Sequence, residues 1–311
     1  MIAGEPRTHF YRTRARLLQV QKVTSQHDPK ELTAVKIGIS LPVREMRNDM
    51  TAIRDFAQAA EELGLTHLRV PDQVFRRNSG ELHEPMMLLS YIAAVTSNIE
   101  LVPSVIILPS RQTVLFAKQA AELDVLSGGR VRLGIGVGGS AEEYQALGMD
   151  VHSRGRRCTE QMVLLKKLWC GESVGEAGRF DDIPADVFLD PLPVQRPIPM
   201  WIGGASVPSE PVKKRIGELA DGWFVLCSPE QFSSIQESIN SYATAAGRDH
   251  SMIETEAGVA VVGPRQHEWQ ERIQGWEKLG ISRICLRTLG GGIDVADHIP
   301  TMQKAVAKLP T

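Results

Sequence analysis

Two apolar, β-branched runs joined by one amphipathic stretch, between Leu101 and Leu147, constrain the fold of this chain more than any other feature. Continuous short apolar runs are typical of parallel strands that are buried on both faces of a sheet. Each run also ends in small residues or a proline, as strands do when they open onto a ligand site. The segment therefore predicts an enzyme built from a sheet and helices.

The alternation of short β-rich runs and longer amphipathic stretches continues along the chain from Val35 onward, which is typical of repeated βα units. It predicts strands over residues 35–41, 68–70, 99–108, 131–137, 200–203, 223–226, 253–262 and 283–286. It predicts helices over residues 50–63, 85–96, 113–126, 212–220, 230–246, 266–279 and 299–309, and one around 161–169. About eight such units most simply close into an α/β fold of the (β/α)8 TIM-barrel type, with reactive groups at the carboxyl ends of the strands.

Two segments depart from the repeat. Residues 1–34 carry six basic side chains against three acidic ones and little apolar periodicity, so we interpret them as a basic N-terminal extension. Residues 170–199 are rich in Gly, Asp and Pro and are too long for an ordinary connection. We expect them to form an irregular insertion or lid within one barrel domain, residues 35–311.

Charge and cysteine content narrow the class of ligand. The formal net charge of −2 argues against nucleic acid as a partner, so a small-molecule substrate is expected. The 4 cysteines form no CxxC pair and have no histidine at ligand spacing, which predicts reduced structural thiols, no disulfide and no metal site. No apolar run approaches the roughly 20 residues of a membrane span. We therefore expect a soluble, cytoplasmic protein without a membrane partner.

A competing interpretation arises because Gly134, Gly136 and Gly139 satisfy GxGxxG directly after a predicted strand. A dinucleotide-binding fold needs a long helix opening at the third glycine, whereas here a short SAEEYQAL segment is broken at Gly148. The glycines also belong to the fourth unit of the repeat. They favour close approach of a flavin-like ligand or its phosphate to the backbone.

Several phrases of the sequence, in their order and spacing, carry a more specific resemblance. They are VPDQVF, SVIILPSRQTVLFAKQAAELDVLSGGRVRLGIGVGG, EEYQALG, PMWIGGA and LADGW, and together they span most of the region from Val35 to Trp223. On these phrases the chain resembles the bacterial luciferase-like monooxygenase superfamily, most closely its oxidoreductases that depend on the deazaflavin coenzyme F420. The resemblance implies a TIM barrel with a flavin or deazaflavin at its mouth.

The resemblance also implies roles for individual residues. Relatives present an acid followed by His beside the flavin ring, and the catalytic positions here are Asp72 and Gln73. An amide orients groups but does not transfer a proton, so the change to Gln73 weakens an acid/base role. Without a ligand, Asp72 would simply cap a loop and Gln73 would be solvated. Two loop histidines, His83 and His152, are candidates to replace the missing one.

Cofactor contacts follow from the same resemblance. It implies a non-proline cis peptide at Ser104-Val105 that bulges against the ring. It implies a cofactor wall formed by Gly136, Gly138, Gly139 and Ser140, and a phosphate-binding loop formed by the backbone of Gly204, Ala205 and Ser206, aided by a helix that begins after Val207. Periodicity alone would make these segments an ordinary strand and ordinary strand-to-helix turns.

The function implied is hydride transfer between coenzyme F420 and a small organic substrate. Two alternatives stay open. In the first, FMN takes the place of F420 and the protein is a two-component monooxygenase that uses reduced flavin and oxygen with a separate flavin reductase. In the second, the barrel binds a flavin, or no cofactor, and does not turn over. The resemblance further implies a homodimer.

Overall fold

The computed structural model describes residues 35–74, 82–175 and 178–309. The predicted basic extension, residues 1–34, lies outside the described residues. These described residues form nine strands, all parallel where they pair, in the order β3-β2-β1-β9-β8-β7-β6-β5-β4. They are β1 Lys36–Ser40, β2 His67–Val70, β3 Glu100–Pro103, β4 Ile106–Ile107, β5 Leu133–Gly136, β6 Met200–Ile202, β7 Gly222–Val225, β8 Glu254–Ala260 and β9 Arg283–Arg287.

The two ends of this sheet are pieces of one predicted strand, residues 99–108. β3 pairs with β2, and β4 pairs with β5, while an isolated bridge joins Leu101 to Val131 ahead of β5. The sheet thus curls into a nearly closed barrel, which confirms the predicted α/β architecture of eight βα units. The continuous strand expected over residues 99–108 is wrong in one respect, because residues 104–105 interrupt it.

Ten α-helices connect and cover the strands in the described parts of the chain. They are α1 Val43–Met46, α2 Met50–Glu62, α3 Pro85–Val95, α4 Thr113–Ser127, α5 Ala141–Ala146, α6 Arg154–Trp169, α7 Glu210–Leu219, α8 Pro229–Ala245, α9 Trp269–Lys278 and α10 His298–Val306. The predicted helix around residues 161–169 begins earlier, at Arg154, because its first two turns are polar and give little apolar periodicity. α1 was not predicted, since four residues are too few for a periodic pattern.

Local sequence signals explain where the helices begin and end. The Asp49 carboxylate accepts a hydrogen bond from the Ala52 amide (2.9 Å) and caps α2, whose buried face includes Ile53 and Phe56. α4 ends at Gly128, which adopts a left-handed conformation with φ of 68°. Apolar strand residues that face outward pack against such helix faces and form the main core. A smaller apolar cluster, Val102, Trp201 and Phe224, lies inside the barrel.

The predicted irregular insertion, residues 170–199, contains no helix or strand after Trp169 within 171–175 and 178–199. Its polar contacts include α4, the Glu160 side chain of α6 and the Val131 carbonyl ahead of β5. Asp181 accepts a hydrogen bond from the Thr113 hydroxyl (2.6 Å) at the start of α4, and Gln195 binds Asp124 (2.8 Å) near its end. The segment therefore runs along the outside of α4 between these points, and the lid interpretation stays a prediction. No described helix combines the length and apolar character that crossing a membrane requires.

Candidate active site

The interruption of the third strand lies at the mouth of the barrel, between β3 and β4. The Ser104-Val105 peptide bond is cis, which confirms that prediction. The Val105 side chain enters the barrel interior, since a Cβ added at Gly136 would lie 2.5 Å from its Cγ2 and one at Gly203 would lie 2.9 Å from its Cγ1. Side-chain-free positions on β5 and after β6 thus make room for Val105.

The glycine segment after β5 continues this surface. A Cβ at Gly138, whose φ is 61°, would lie 2.8 Å from Ile107, whereas a Cβ at the exposed Gly139 would meet open space. Ser140 caps the short helix α5, with its hydroxyl accepting from the Glu143 amide (3.2 Å). The predicted wall residues therefore lie beside Val105 on neighbouring strands, with Gly139 facing solvent.

The predicted phosphate loop, Gly204 to Ser206, follows the next strand, because β5 pairs with β6. All three residues are exposed. The Gly203 amide donates to the Ile135 carbonyl (2.9 Å), whereas the three following amides make no hydrogen bond with any residue that the structure describes. The helix predicted over residues 212–220 begins at Glu210, so the loop before it is two residues shorter than predicted.

Asp72 and Gln73 follow β2, and their environments differ. The Asp72 carboxylate is 1% exposed and accepts from Arg111 through both oxygens (2.7 and 3.1 Å) and from the Ile107 amide (2.9 Å). Gln73 is half-buried beside it. Asp72 therefore ties the end of β2 to β4 and to the start of α4. Of the two loop histidines, His83 binds the Arg47 carbonyl (2.8 Å) and His152 is exposed.

A cavity of about 210 Å³ opens at the carboxyl ends of β1, β2, β3 and β9. Its wall includes Ser40, Arg69, Ser104 and Arg287 at the barrel mouth, and Leu41 to Glu45 and Leu289 on the rim. The Ser104 hydroxyl accepts a hydrogen bond from Arg69 (2.6 Å), so the residue before Val105 belongs to this cavity. The cavity and the glycine loops thus lie on two sides of the interrupted strand.

A network of charged side chains that the sequence analysis missed fills the barrel below this mouth. Glu256 is fully buried and pairs with Arg69 and Arg132, each at 2.9 Å. Arg132 also binds Glu100 (2.8 Å), which in turn binds Arg283 (2.9 Å). The Arg132 guanidinium lies 4.2 Å from the centre of the Trp201 ring, and that of Arg69 lies 4.6 Å from the centre of the Phe224 ring.

A signal for this network was present in the strand sequences. Charged residues recur at alternate positions, as in Glu254 and Glu256 of β8 and in Arg283 and Arg287 of β9. Alternate residues of a barrel strand face the interior. Charged residues two or four apart in short, otherwise apolar strands therefore indicate a polar barrel interior.

Burial and neighbouring charges shift the pKa values of this network. Burial raises the pKa of Glu256, but His67, Arg132 and Arg69 together lower it by more, so it lies well below the usual range of a carboxyl. Burial lowers the pKa of His67 by more than Glu256 raises it, so the imidazole is neutral at pH 7. The two guanidinium groups therefore stabilise the Glu256 carboxylate at neutral pH.

His67, Glu256 and Cys285 bring three possible metal ligands within 4.8 Å of one another inside the barrel. Two arginines already occupy the Glu256 carboxylate at 2.9 Å, and their charges repel a cation. Burial also raises the pKa of the Cys285 thiol, which disfavours the thiolate that a metal needs. This cluster is better explained as part of the ion-pair network.

Two relatives with named activities resemble this chain in sequence. The chain is 29% identical over 233 residues to an F420-dependent hydroxymycolic acid dehydrogenase from Mycobacterium tuberculosis, covering 73% of this chain and 63% of the relative. It is 33% identical over 180 residues to an F420-dependent glucose-6-phosphate dehydrogenase from Kineococcus radiotolerans, covering 55% of this chain and 51% of the relative.

A solved structure shares the fold. It is an F420-dependent secondary alcohol dehydrogenase in complex with an F420-acetone adduct, with a TM-score of 0.75 at 16% identity, over 89% of this chain and 99% of that one. The sequence profile of the luciferase-like monooxygenase family matches residues 26–283. Because that match covers most of the sequence, the chain belongs to the luciferase-like monooxygenase family.

Proposed function

We propose that this chain is an F420-dependent oxidoreductase that moves a hydride between the deazaflavin and a small organic substrate. Family membership and two relatives named as F420-dependent dehydrogenases support the cofactor and the reaction class. The structural observation that carries the proposal is the juxtaposition of two loops, Gly138 to Ser140 with an exposed Gly139 and the exposed Gly204 to Ser206, with Val105 and the mouth cavity.

The residues at the mouth fit a deazaflavin with a phosphate-bearing side chain. Gly139 and Gly204 leave open space where another residue would carry a side chain, so a flat ligand can approach the backbone closely. The exposed residues Gly204, Ala205 and Ser206 have amides that make no hydrogen bond within the described part of the chain, which suits them to an anionic phosphate. In this proposal the Gly204 loop holds the phosphate. The ring contacts Ser104, Val105, Gly136, Gly138, Gly139 and Ser140.

The chain's own side chains hold the site rather than react. Arg69, fixed by Glu256, donates to the Ser104 hydroxyl and so orients the residue that precedes Val105. Both Asp72 oxygens are occupied by Arg111, so we assign Asp72 a positioning role and leave substrate orientation to the half-buried Gln73. When bound, the deazaflavin supplies a carbon that accepts or donates hydride.

Titration of the purified full chain with F420 and with FMN, in oxidised and reduced forms, tests the cofactor. We expect the fluorescence of F420 to change saturably on binding. A G139V variant should bind F420 at least about tenfold more weakly, a loss of about 1.4 kcal/mol, because its side chain occupies the open space over the loop. G275V is the matched control, since Gly275 on α9 also has open space around it but lies away from the mouth.

Three other outcomes would contradict the proposal. Binding of FMN but not F420 would favour the monooxygenase that works with a flavin reductase. Binding of neither cofactor would favour a barrel that does not turn over. Equal weakening by G139V and G275V would place the cofactor elsewhere. The homodimer implied by the resemblance is a separate proposal, and light scattering of the purified chain tests it.

A further inference from the structure

One cationic side chain at the barrel mouth is set apart from the ion-pair network. Arg287 ends β9, and its side chain lines the mouth cavity together with Ser40 and Ser104. Its Nε atom is buried and has no hydrogen-bond partner among the described residues. No carboxylate lies within 4.0 Å of its guanidinium among residues 35–74, 82–175 and 178–309.

The other interior arginines are already neutralised. Arg69 and Arg132 share Glu256, and Arg283 is held between Glu100 and Glu254 (2.9 and 2.7 Å). The acid on the cavity wall, Glu45, accepts a hydrogen bond from the Gly290 amide (2.8 Å). Within the described parts of the chain, the Arg287 guanidinium is therefore available to a ligand, in a cavity that also offers two serine hydroxyls.

Neighbouring strands hold this guanidinium at the mouth. Arg287 pairs in register with Ser40 on β1 and with Ala260 on β8. Gly258, two residues before Ala260 on the same strand, lies against the Arg287 side chain. A Cβ at Gly258 would be 3.5 Å from the Arg287 Nε. Small residues on β8 thus leave space beside the arginine, and the cavity extends from it toward Ser104.

We propose that Arg287 anchors the substrate through an anionic group, so that the substrate class is a small organic carboxylate or phosphate ester. This inference rests on the proposed oxidoreductase function and adds the substrate's charge. A cavity of about 210 Å³ holds a group somewhat larger than benzene, which fills an engineered cavity of about 150 Å³. A fork-shaped guanidinium binds either anion through paired hydrogen bonds.

This placement separates the two anionic groups that the site would hold. The substrate anion would bind on the side of β1 and β9, and the cofactor phosphate would bind at the Gly204 loop after β6. The interrupted strand, with Ser104 and Val105, lies between them in the barrel order. The uncharged part of the substrate would then extend from Arg287 toward Val105 and the cofactor.

Anion binding can be tested without cofactor. The thermal unfolding midpoint of the purified full chain is measured against sodium phosphate and sodium acetate, with sodium chloride holding the ionic strength constant. A ligand that binds only the folded state raises the midpoint in proportion to its occupancy. We expect a saturable rise with at least one anion, and the anion with the lower dissociation constant distinguishes a phosphate ester from a carboxylate.

Variants assign the response to Arg287. R287Q should raise the dissociation constant of the anion by about tenfold or more. R287K, which keeps the charge, should retain part of the response, and this guards against a mere folding defect. K304Q removes an exposed positive charge on α10 and should respond like the wild type. F420 binding should be the same in R287Q and in the wild type.

Each remaining outcome overturns the proposal. The absence of a saturable rise in the wild type, or an equal rise in R287Q, would mean that Arg287 binds no anion. A tenfold loss of F420 affinity in R287Q would make Arg287 part of the cofactor site instead. Failure of the wild type to bind F420 would contradict the proposed function alone, because the anion titration contains no cofactor.

Discussion

Replacing Glu256 by glutamine tests how strongly the ion-pair network supports the barrel. The fully buried carboxylate makes one hydrogen bond of 2.9 Å to Arg69 and one of 2.9 Å to Arg132. In E256Q the side chain is neutral, and one of its two oxygens becomes an amide that faces a guanidinium donor. Arg132 keeps Glu100, whereas Arg69 keeps only the Ser104 hydroxyl.

Removing one partner from a buried ion pair typically costs about 3–5 kcal/mol. For a domain of this size, each kcal/mol lowers the unfolding midpoint by about 2–4 °C, so we expect E256Q to unfold roughly 6–20 °C below the wild type. Circular dichroism at one fixed scan rate measures both midpoints. E122Q is the control, because Glu122 is 48% exposed and its nitrogen-to-oxygen distance to Lys118 is 3.9 Å.

The free energy of unfolding of E122Q should fall by less than about 0.5 kcal/mol, because exposed ion pairs within a helix contribute little to stability. If E256Q unfolds within the error of E122Q, the buried carboxylate does not neutralise the arginines, and the network has no role in holding the barrel. An E256Q midpoint in the expected range together with unchanged F420 binding would restrict the network to stability.

Three further predictions follow from the contacts. D72N should lower the free energy of unfolding in urea by about 3 kcal/mol, because the buried guanidinium of Arg111 loses the charge of its partner. G136A should lose about 1–3 kcal/mol in the same assay, since the added Cβ would overlap a valine methyl group, whereas G139A should unfold like the wild type. The pKa of His67 is lowered by burial, so stability should fall as pH drops below 6.5, with a slope of up to about 1.4 kcal/mol per pH unit that H67N reduces.

Controls for these predictions come from exposed positions. D55N changes the same chemical group in the half-exposed pair with Arg54 and should have little effect, so equal losses in D55N and D72N would contradict the first prediction. Identical stability of G136A and G139A would mean that Val105 moves freely. His267 is 75% exposed, and H267N should keep the wild-type pH slope. An unchanged slope in H67N would show that His67 is not buried as a neutral imidazole.

The fold followed from the sequence because its determinants are local. Apolar strand residues and amphipathic helices repeat with regular spacing, and caps such as Asp49 and Gly128 set the helix ends. The errors arose where these signals weaken. α6 begins in a charged run at Arg154. The third strand breaks at residues 104–105, although the sequence resumes an apolar, β-branched pattern directly after Ser104.

The site was predicted less completely, because its partners are distant in sequence. The resemblance brought the Ser104, Gly136 and Gly204 segments to one mouth, and the barrel places them on adjacent strands. The bidentate pair of Asp72 with Arg111 depends on side-chain directions that the barrel sets, and no spacing rule indicates it. The alternating charges of β8 and β9 are visible in the sequence. They predict a polar interior only once the barrel shows which alternate residues face inward.

The order of these charges along the barrel axis favours an anion at the mouth. The interior acids lie low, with Glu100 at the start of β3 and Glu254 and Glu256 within the first three residues of β8. Arg283 begins β9 among them, whereas Arg287 lies four residues, or about 13 Å at 3.3 Å per residue, further along the strand toward the mouth. The acids therefore pair with the lower arginines, and Arg287 has no carboxylate partner within 4.0 Å among the described residues. The positive charge of Arg287 would repel a cationic substrate and attract an anionic one.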